Sequence, residues 1–357
     1  MTHIYETWKE IISQPATWEA TLDVFDDQRA DLRRFLSGAS YERVLTIGCG
    51  STHYLAQSAA ALISRHARIP AEAFPSSEIW LTPEAMVPGD TLLVAISRSG
   101  TTTETLRAVD RFREVKGGKV LAVSCYPDSD LVQRADFALV SPAAQEESIA
   151  QTRSFSSMFV LIQALTGVMA EDEAMISSLR LLPEALSTLV TRFDDTPERL
   201  GANLDLERFY FLGGGVLYGL ACEAMLKMKE MTLSYAEGYH PLEFRHGPMS
   251  MVNNQTLVIG LVPETGADEV VHVLVDMQDL GAHILALAED GRICDPLQEA
   301  DSSQRGVDVI ELKSGLDAIV RAPLVLPPLQ HMAYHRAVAK GFDPDHPHNL
   351  SAVISLS

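Results

Sequence analysis

Residues 96–105 read ISRSGTTTET and place six hydroxyl side chains, Ser97, Ser99, Thr101, Thr102, Thr103 and Thr105, around Gly100, directly after the apolar run TLLVAI. A dianionic phosphate accepts several hydrogen bonds at once, which suits such a loop, and Arg98 adds a cation within it. Ser and Thr are also good N-caps and turn formers, but one hydroxyl would satisfy that use, and six exceed it. Upstream, GCGST (48–52) ends an apolar run and opens a helical pattern. Glycines there let backbone N–H groups approach an anion at a helix N-terminus. Position 53 is His, so the Gly-x-Gly-x-x-Gly dinucleotide fingerprint is not met, and by itself the short Gly-x-Gly also fits a tight turn.

Two further stretches carry titratable groups. In EAMLKMKE (223–230), Glu223, Lys227 and Glu230 stand at i, i+4 and i+7 and share one helical face. Such a stripe is often a solvated face. Here Cys222, Ala224, Met225, Leu226, Met228 and Met231 make most of the remaining surface apolar, so an enclosed carboxylate beside a lysine is expected, a candidate general base. In YHPLEFRHGPMSMV (239–252), Glu243, Arg245 and His246 precede a Gly-Pro corner. His246 reads either as structural or as an acid/base.

The elements that must position these residues alternate. RVLTIG, a helix near 52–66, TLLVAI, a helix near 102–115, KVLAVSC and DFALVS form one series from about residue 41. FYFLGGG, a helix near 217–231, TLVIGLV, a helix near 268–280, HILALA, DVIEL and LVLPPL form a second. Alternation of short β-branched runs with helical patterns predicts parallel sheets covered on both faces. RVLTIGCGSTHYLA (43–56) and RFYFLGGGVLYGLA (208–221) match at an offset of 165 residues, which predicts a duplicated α/β domain. Any two strand-turn-helix units share some of this pattern; the repeated rhythm behind each favours duplication.

The chain has 357 residues, enough for two or three domains, and 46% hydrophobic content excludes a largely disordered chain. A formal net charge of −20 argues against nucleic acid or an anionic membrane as partner, and leaves a small anion held in a local pocket. The N-terminus lacks the features of a signal peptide, and FVLIQALTGVMA (159–170) is too short to span a bilayer and reads as a buried helix. A cytoplasmic location is expected. Cys49, Cys125, Cys222 and Cys294 are scattered without metal or disulfide spacing and read as core hydrophobes; no metal or cofactor is expected.

GCGST, SRSGTTTET, LKMKE, FRHGP and YHRAVAKGFDPDHPHNL together resemble the SIS (sugar isomerase) phosphosugar-binding family. The likeness is to the tandem isomerase half of glucosamine-6-phosphate synthase and to the AgaS-type amino-sugar isomerases and deaminases, from about residue 40 onward. The resemblance implies an α/β fold of two tandem SIS domains, each a flavodoxin-like doubly wound parallel sheet with helices on both faces. The boundaries expected are a helical segment at 1–35, SIS domains at 36–172 and 206–345, a helical connector at 173–205 and a tail at 346–357.

It also implies that Ser51, Thr52, Ser97, Ser99 and Thr102 hold a sugar 6-phosphate. Arg98 and Thr101 stand where the synthase has Gln and Glu, Arg98 adding a cation beside the phosphate. By the same resemblance Glu230 moves a proton between sugar C1 and C2, Lys227 accompanies it, and His246, given by a neighbouring subunit of a homodimer, assists ring opening. Glu223, Gln151 and Thr152 line the substrate. Two departures stand out. The opening MTHIYETW has no nucleophilic cysteine, so glutamine-dependent amination is not expected of this polypeptide; and Ala352 occupies the place of the synthase's tail lysine. The implied activity is aldose–ketose isomerisation with deamination of a hexosamine 6-phosphate; a deglycase of a fructosamine 6-phosphate and a non-catalytic sugar-phosphate sensor are the alternatives.

Overall fold

The computed structural model describes residues 4–39, 41–83, 90–116, 118–192, 195–299 and 306–351. Ser13–Glu184 form one compact unit; Ala185–Leu350 with the N-terminal helix up to Ile12 form another. The position of Ala352 lies outside the described residues.

In the first unit, helix α2 (Gln14–Gly38) precedes strand β1 (Arg43–Gly48), α3 (Ser51–Leu62), β2 (Ala71–Pro75), α4 (Ser76–Leu81), β3 (Thr91–Ile96), α5 (Thr103–Lys116), β4 (Val120–Ser124), α6 (Asp130–Arg134), β5 (Phe137–Val140), α7 (Arg153–Met169) and α8 (Glu173–Leu179). α1 (Glu6–Ile12) belongs to the other unit, so the expected single N-terminal helical segment is broken, with Pro15 in the first turn of α2. The sheet is all parallel in the order β2-β1-β3-β4-β5. β3 is buried at every residue, as expected of a strand covered on both faces, and Leu45, Ile47, Leu93, Ala95, Val109 and Phe112 form the core on one side. Burying each such Leu, Ile or Phe contributes about 1.5–3 kcal/mol. α7 is buried along nearly its whole length and packs on α2, where the Trp18 indole donates to Ser156 Oγ at 2.9 Å.

The second unit continues through α9 (Leu182–Arg192), α10 (Thr196–Ala202), β6 (Arg208–Leu212), α11 (Val216–Thr232), β7 (Tyr235–Tyr239), α12 (Pro241–Phe244), β8 (Thr256–Leu261), α13 (Ala267–Asp279), β9 (His283–Ala288), α14 (Asp295–Glu299), β10 (Val307–Glu311), α15 (Ala318–Arg321) and α16 (Leu326–Ala339). Its parallel sheet runs β7-β6-β8-β9-β10, the same order as the first. The offset of 165 relates Gly50 to Gly215, and their backbones agree: φ 56°, ψ −126° against φ 57°, ψ −125°, each at the N-cap of the helix after the first strand. Two flavodoxin-like sheets in tandem are therefore present.

LVLPPL (324–329), expected as a strand, is instead a short 3₁₀ turn running into α16, with Pro327 and Pro328 in that helix's first turn. Prolines donate no ladder hydrogen bond but fit a helix start, where N–H groups have no partner. α1 packs on α16: Trp8 lies 4.4 Å from the His331 ring, and Asp345 accepts from the N–H groups of Glu6 and Thr7 at 2.9 and 2.7 Å.

Candidate active site

In the order 2-1-3 the chain leaves β1 and β3 in opposite directions, and the crevice beyond their carboxyl ends is the ligand position of such sheets. GCGST and SRSGT occupy those two ends. Ser51 and Thr52 open α3 and are 5% and 3% exposed. Thr52 Oγ1 accepts from the Cys49 N–H at 2.9 Å, an internal cap of the turn. Cys49 Sγ lies 3.7 Å from Thr105 Oγ1, which in turn lies 3.1 Å from Ser76 Oγ, so the two loops touch.

The hydroxyl loop is tightly held. Ser97 Oγ accepts from the Gly100 N–H at 3.1 Å and lies 3.2 Å from Thr102 Oγ1. Ser99 Oγ accepts from the Thr101 N–H and hydroxyl at 3.2 and 3.0 Å. Leu131 N–H donates to the Gly100 carbonyl at 2.9 Å. Gly100 has φ +64°, and a Cβ there would stand 2.0 Å from Ser129 Oγ, so no other residue fits. The structure thus brings Ser51, Thr52, Ser97, Ser99 and Thr102 onto two adjoining loops.

Arg98, Gln151 and Thr152 sit differently. Arg98 Nη1 donates to the Ile149 carbonyl at 2.9 Å and lies 3.5 Å from Glu146 Oε2. Thr152 is fully buried at the N-cap of α7, and its N–H and hydroxyl donate to Glu146 Oε1 at 2.7 and 2.8 Å. Gln151 is half-buried, with Oε1 sealed from solvent and lacking a hydrogen-bond partner among the described residues. Glu146 was not among the residues read from the sequence. Its signal is weak: an acid ahead of a Ser/Thr-rich helix start, and an arginine elsewhere in need of a counter-charge.

In the second unit, α11 carries Glu223, Lys227 and Glu230. The Lys227 ammonium, 1% exposed, donates to Glu230 Oε2 at 2.6 Å and lies 3.3 Å from Glu223 Oε1. The Glu223 side chain is fully buried and that of Glu230 is 20% exposed. Burial alone would lower the Lys227 pKa, but the two carboxylates outweigh it and the net shift is upward, so the lysine stays charged. Glu230 is therefore an oriented carboxylate with one side open to solvent, an arrangement fit to accept a proton from carbon. His246 is exposed on the turn after α12, its N–H donating to the Glu243 carbonyl at 3.0 Å, and among the described residues it makes no ion pair with the trio. Arg245 beside it pairs with Asp276 at 2.5 Å.

Cys125, Cys222 and Cys294 are buried, and burial raises their thiols, those of Cys222 and Cys294 to about 11, which keeps them unreactive at neutral pH. Among the described residues no group of three or more His, Cys, Asp or Glu could hold a metal ion, and no helix is long and apolar enough to cross a membrane.

The SIS domain family model matches residues 39–167 and 205–293, the whole of the first sheet and β6–β9 of the second. The chain belongs to the SIS domain family. This SIS chain is 28% identical over 360 residues to the isomerizing glutamine–fructose-6-phosphate aminotransferase of Francisella tularensis, covering 97% of the chain and 56% of the relative. It is 30% identical over 364 residues to that of Zymomonas mobilis, covering 98% of the chain and 58% of the relative. The chain thus spans little more than half the length of these curated relatives. Among solved structures, the tagatose-6-phosphate ketose/aldose isomerase of Escherichia coli superposes with TM-score 0.85 at 24% identity over 97% of both chains. Glucosamine-6-phosphate deaminase of Thermotoga maritima superposes with TM-score 0.75 at 26% identity, over 98% of this chain and 100% of that one.

Proposed function

We propose that the protein binds a hexose 6-phosphate or its 2-amino derivative and interconverts aldose and ketose, with release of ammonia when the substrate is an amino sugar. The observation that carries this reading is Glu230, a part-exposed carboxylate fixed by a buried lysine on a largely apolar helix. The phosphate is taken up by Ser51, Thr52, Ser97, Ser99 and Thr102, through hydroxyls and N–H groups at two helix starts, which bind an anion without a net positive charge. His246 assists ring opening; in a homodimer it would come from the neighbouring subunit.

In the open-chain aldose, Glu230 removes the C2 proton, and the C–H electron pair forms the C1–C2 double bond while the C1 carbonyl π pair moves to O1, which takes up a proton, giving an enediol, or an enolamine where C2 bears nitrogen. The proton is returned to C1. From the enediol this gives the ketose; from the enolamine it gives a C2 imine, which water hydrolyses to ketose and ammonia. A fructosamine 6-phosphate carries its nitrogen on C1, so a deglycase would run the same proton transfer in the other direction, from C1 to C2, and water would hydrolyse the resulting C1 imine to an aldose and the free amino acid. Lys227 keeps Glu230 aimed.

The test is an assay with glucosamine 6-phosphate, galactosamine 6-phosphate, fructose 6-phosphate and a fructosamine 6-phosphate, following ketose, aldose, ammonia and free amino acid separately. Ketose with ammonia supports the proposed deamination, and aldose with a free amino acid moves the reading to deglycation. Thermal stabilisation by one of them without turnover of any would replace the enzyme with a sensor.

A further inference from the structure

Arg98 lies within the hydroxyl loop after β3, yet its side chain is only 8% exposed. Its guanidinium is taken up by the segment after β5. Nη1 donates to the carbonyls of Ile149 and Ser148 at 2.9 and 3.4 Å and stands 3.5 Å from Glu146 Oε2. The Glu146 side chain is fully buried and accepts from the N–H and hydroxyl of Thr152, from the Ser154 N–H at 3.2 Å and from the Ser154 hydroxyl. It thereby caps α7, where the helix dipole also favours a negative charge. At the other end the Arg98 carbonyl accepts from the Cys125 N–H and the Ser124 hydroxyl, each at 3.1 Å.

A buried pair of this kind adds little net stability against an apolar pair of the same shape, whereas losing one partner leaves an uncompensated charge. What the pair does supply is register. It ties the hydroxyl loop to Ser148–Thr152, and so sets the position of Gln151, whose Oε1 is sealed from solvent and has no hydrogen-bond partner among the described residues. We infer that Arg98 and Glu146 form an internal strut that positions Gln151 for the sugar, and that Arg98 is a positioning residue and not a phosphate ligand. The inference rests on the phosphosugar reading above and refines it: the phosphate is gripped by neutral donors alone, and the Arg98 charge is spent inside the fold.

The test is calorimetry on the full chain with two probes, inorganic phosphate and fructose 6-phosphate, for wild type, Arg98→Gln, Glu146→Gln and the double variant. The strut predicts that inorganic phosphate affinity stays within about twofold of wild type, since no phosphate contact is removed. Fructose 6-phosphate binding should weaken about tenfold or more in each single variant, the scale of one lost hydrogen bond that leaves its buried partner unpaired. The double variant should bind it no worse than the weaker single, because both act through one link. Equal weakening of both probes in Arg98→Gln, with none in Glu146→Gln, would make Arg98 a phosphate ligand and overturn the inference. Unchanged affinity for both probes in the double variant would reduce the pair to packing. Should a single variant fail to fold, the double variant, with no charge left buried, carries the same comparison. A wild type that binds neither probe defeats the phosphosugar reading itself, visibly before any variant is made.

Discussion

Glu230 and Lys227 show how much three residues on one helix can specify. Their i, i+3 contact, with Glu223 a turn earlier, follows from helical spacing, and the apolar residues between them dictate the burial that makes the contact strong. Glu230→Gln keeps the shape of that side chain and removes its basicity. Turnover should fall about 10²–10⁴-fold, while calorimetric affinity for fructose 6-phosphate stays within a few-fold; matched loss of both would contradict the role. His331 titrates differently. Burial, with a smaller push from His335, lowers it to about 3, so below pH 6.5 the unfolded chain binds a proton that the native chain refuses. Its contribution is present above pH 6.5 and declines as pH falls toward 3, by a few kcal/mol at most. His331→Phe should flatten the fall in melting temperature between pH 6.5 and 4; an unchanged slope would assign acid sensitivity to other groups. Not every residue of the candidate site was legible. Glu146 meets Arg98 only because the sheet brings β3 and β5 to the same end, and no local spacing in EESIAQTRSF announces that partner.

At the scale of elements, the core strands were legible because each is a short apolar run between turns. β1 and β3 coincide with RVLTIG and TLLVAI, while β6 begins one residue before FYFLGGG and ends ahead of its glycines, and β8 covers all but the last residue of TLVIGLV. β2 and β7 escaped because each is an edge strand, part-exposed and carrying acids: AEAFP and YAEGY show no sustained apolar run. LVLPPL failed in the other direction, its apolar run being the entry to a buried helix. The glycine turns offer a paired experiment. Gly50 and Gly215 share a conformation in which any other residue is strained. Gly50→Ala and Gly215→Ala should each cost about 1–3 kcal/mol, and by like amounts, read from denaturant midpoints. Only Gly50→Ala should also weaken phosphate binding. A large gap between the two stabilities would mean that the turns are not equivalent.

For the whole molecule, a net charge of −20 opposes the approach of a sugar phosphate. Salt shortens the reach of that field from about 30 Å at 0.01 M to about 8 Å at 0.15 M. kcat/KM should therefore rise several-fold over that range in a non-competing salt; a monotonic fall would show that local donors outweigh the global field. The matched turns carry a last consequence. At the offset that joins Gly50 to Gly215, Ser51 and Thr52 correspond to Val216 and Leu217, and the loop SRSGT to VPETG. The backbone that could cradle an anion has been inherited twice and furnished once. On the proposed reading the second turn has no phosphate to grip, and the helix that follows it carries the trio of Glu223, Lys227 and Glu230. On this reading grip and chemistry descend from one ancestral loop and helix, and can now diverge separately, one toward new anions and the other toward new bonds.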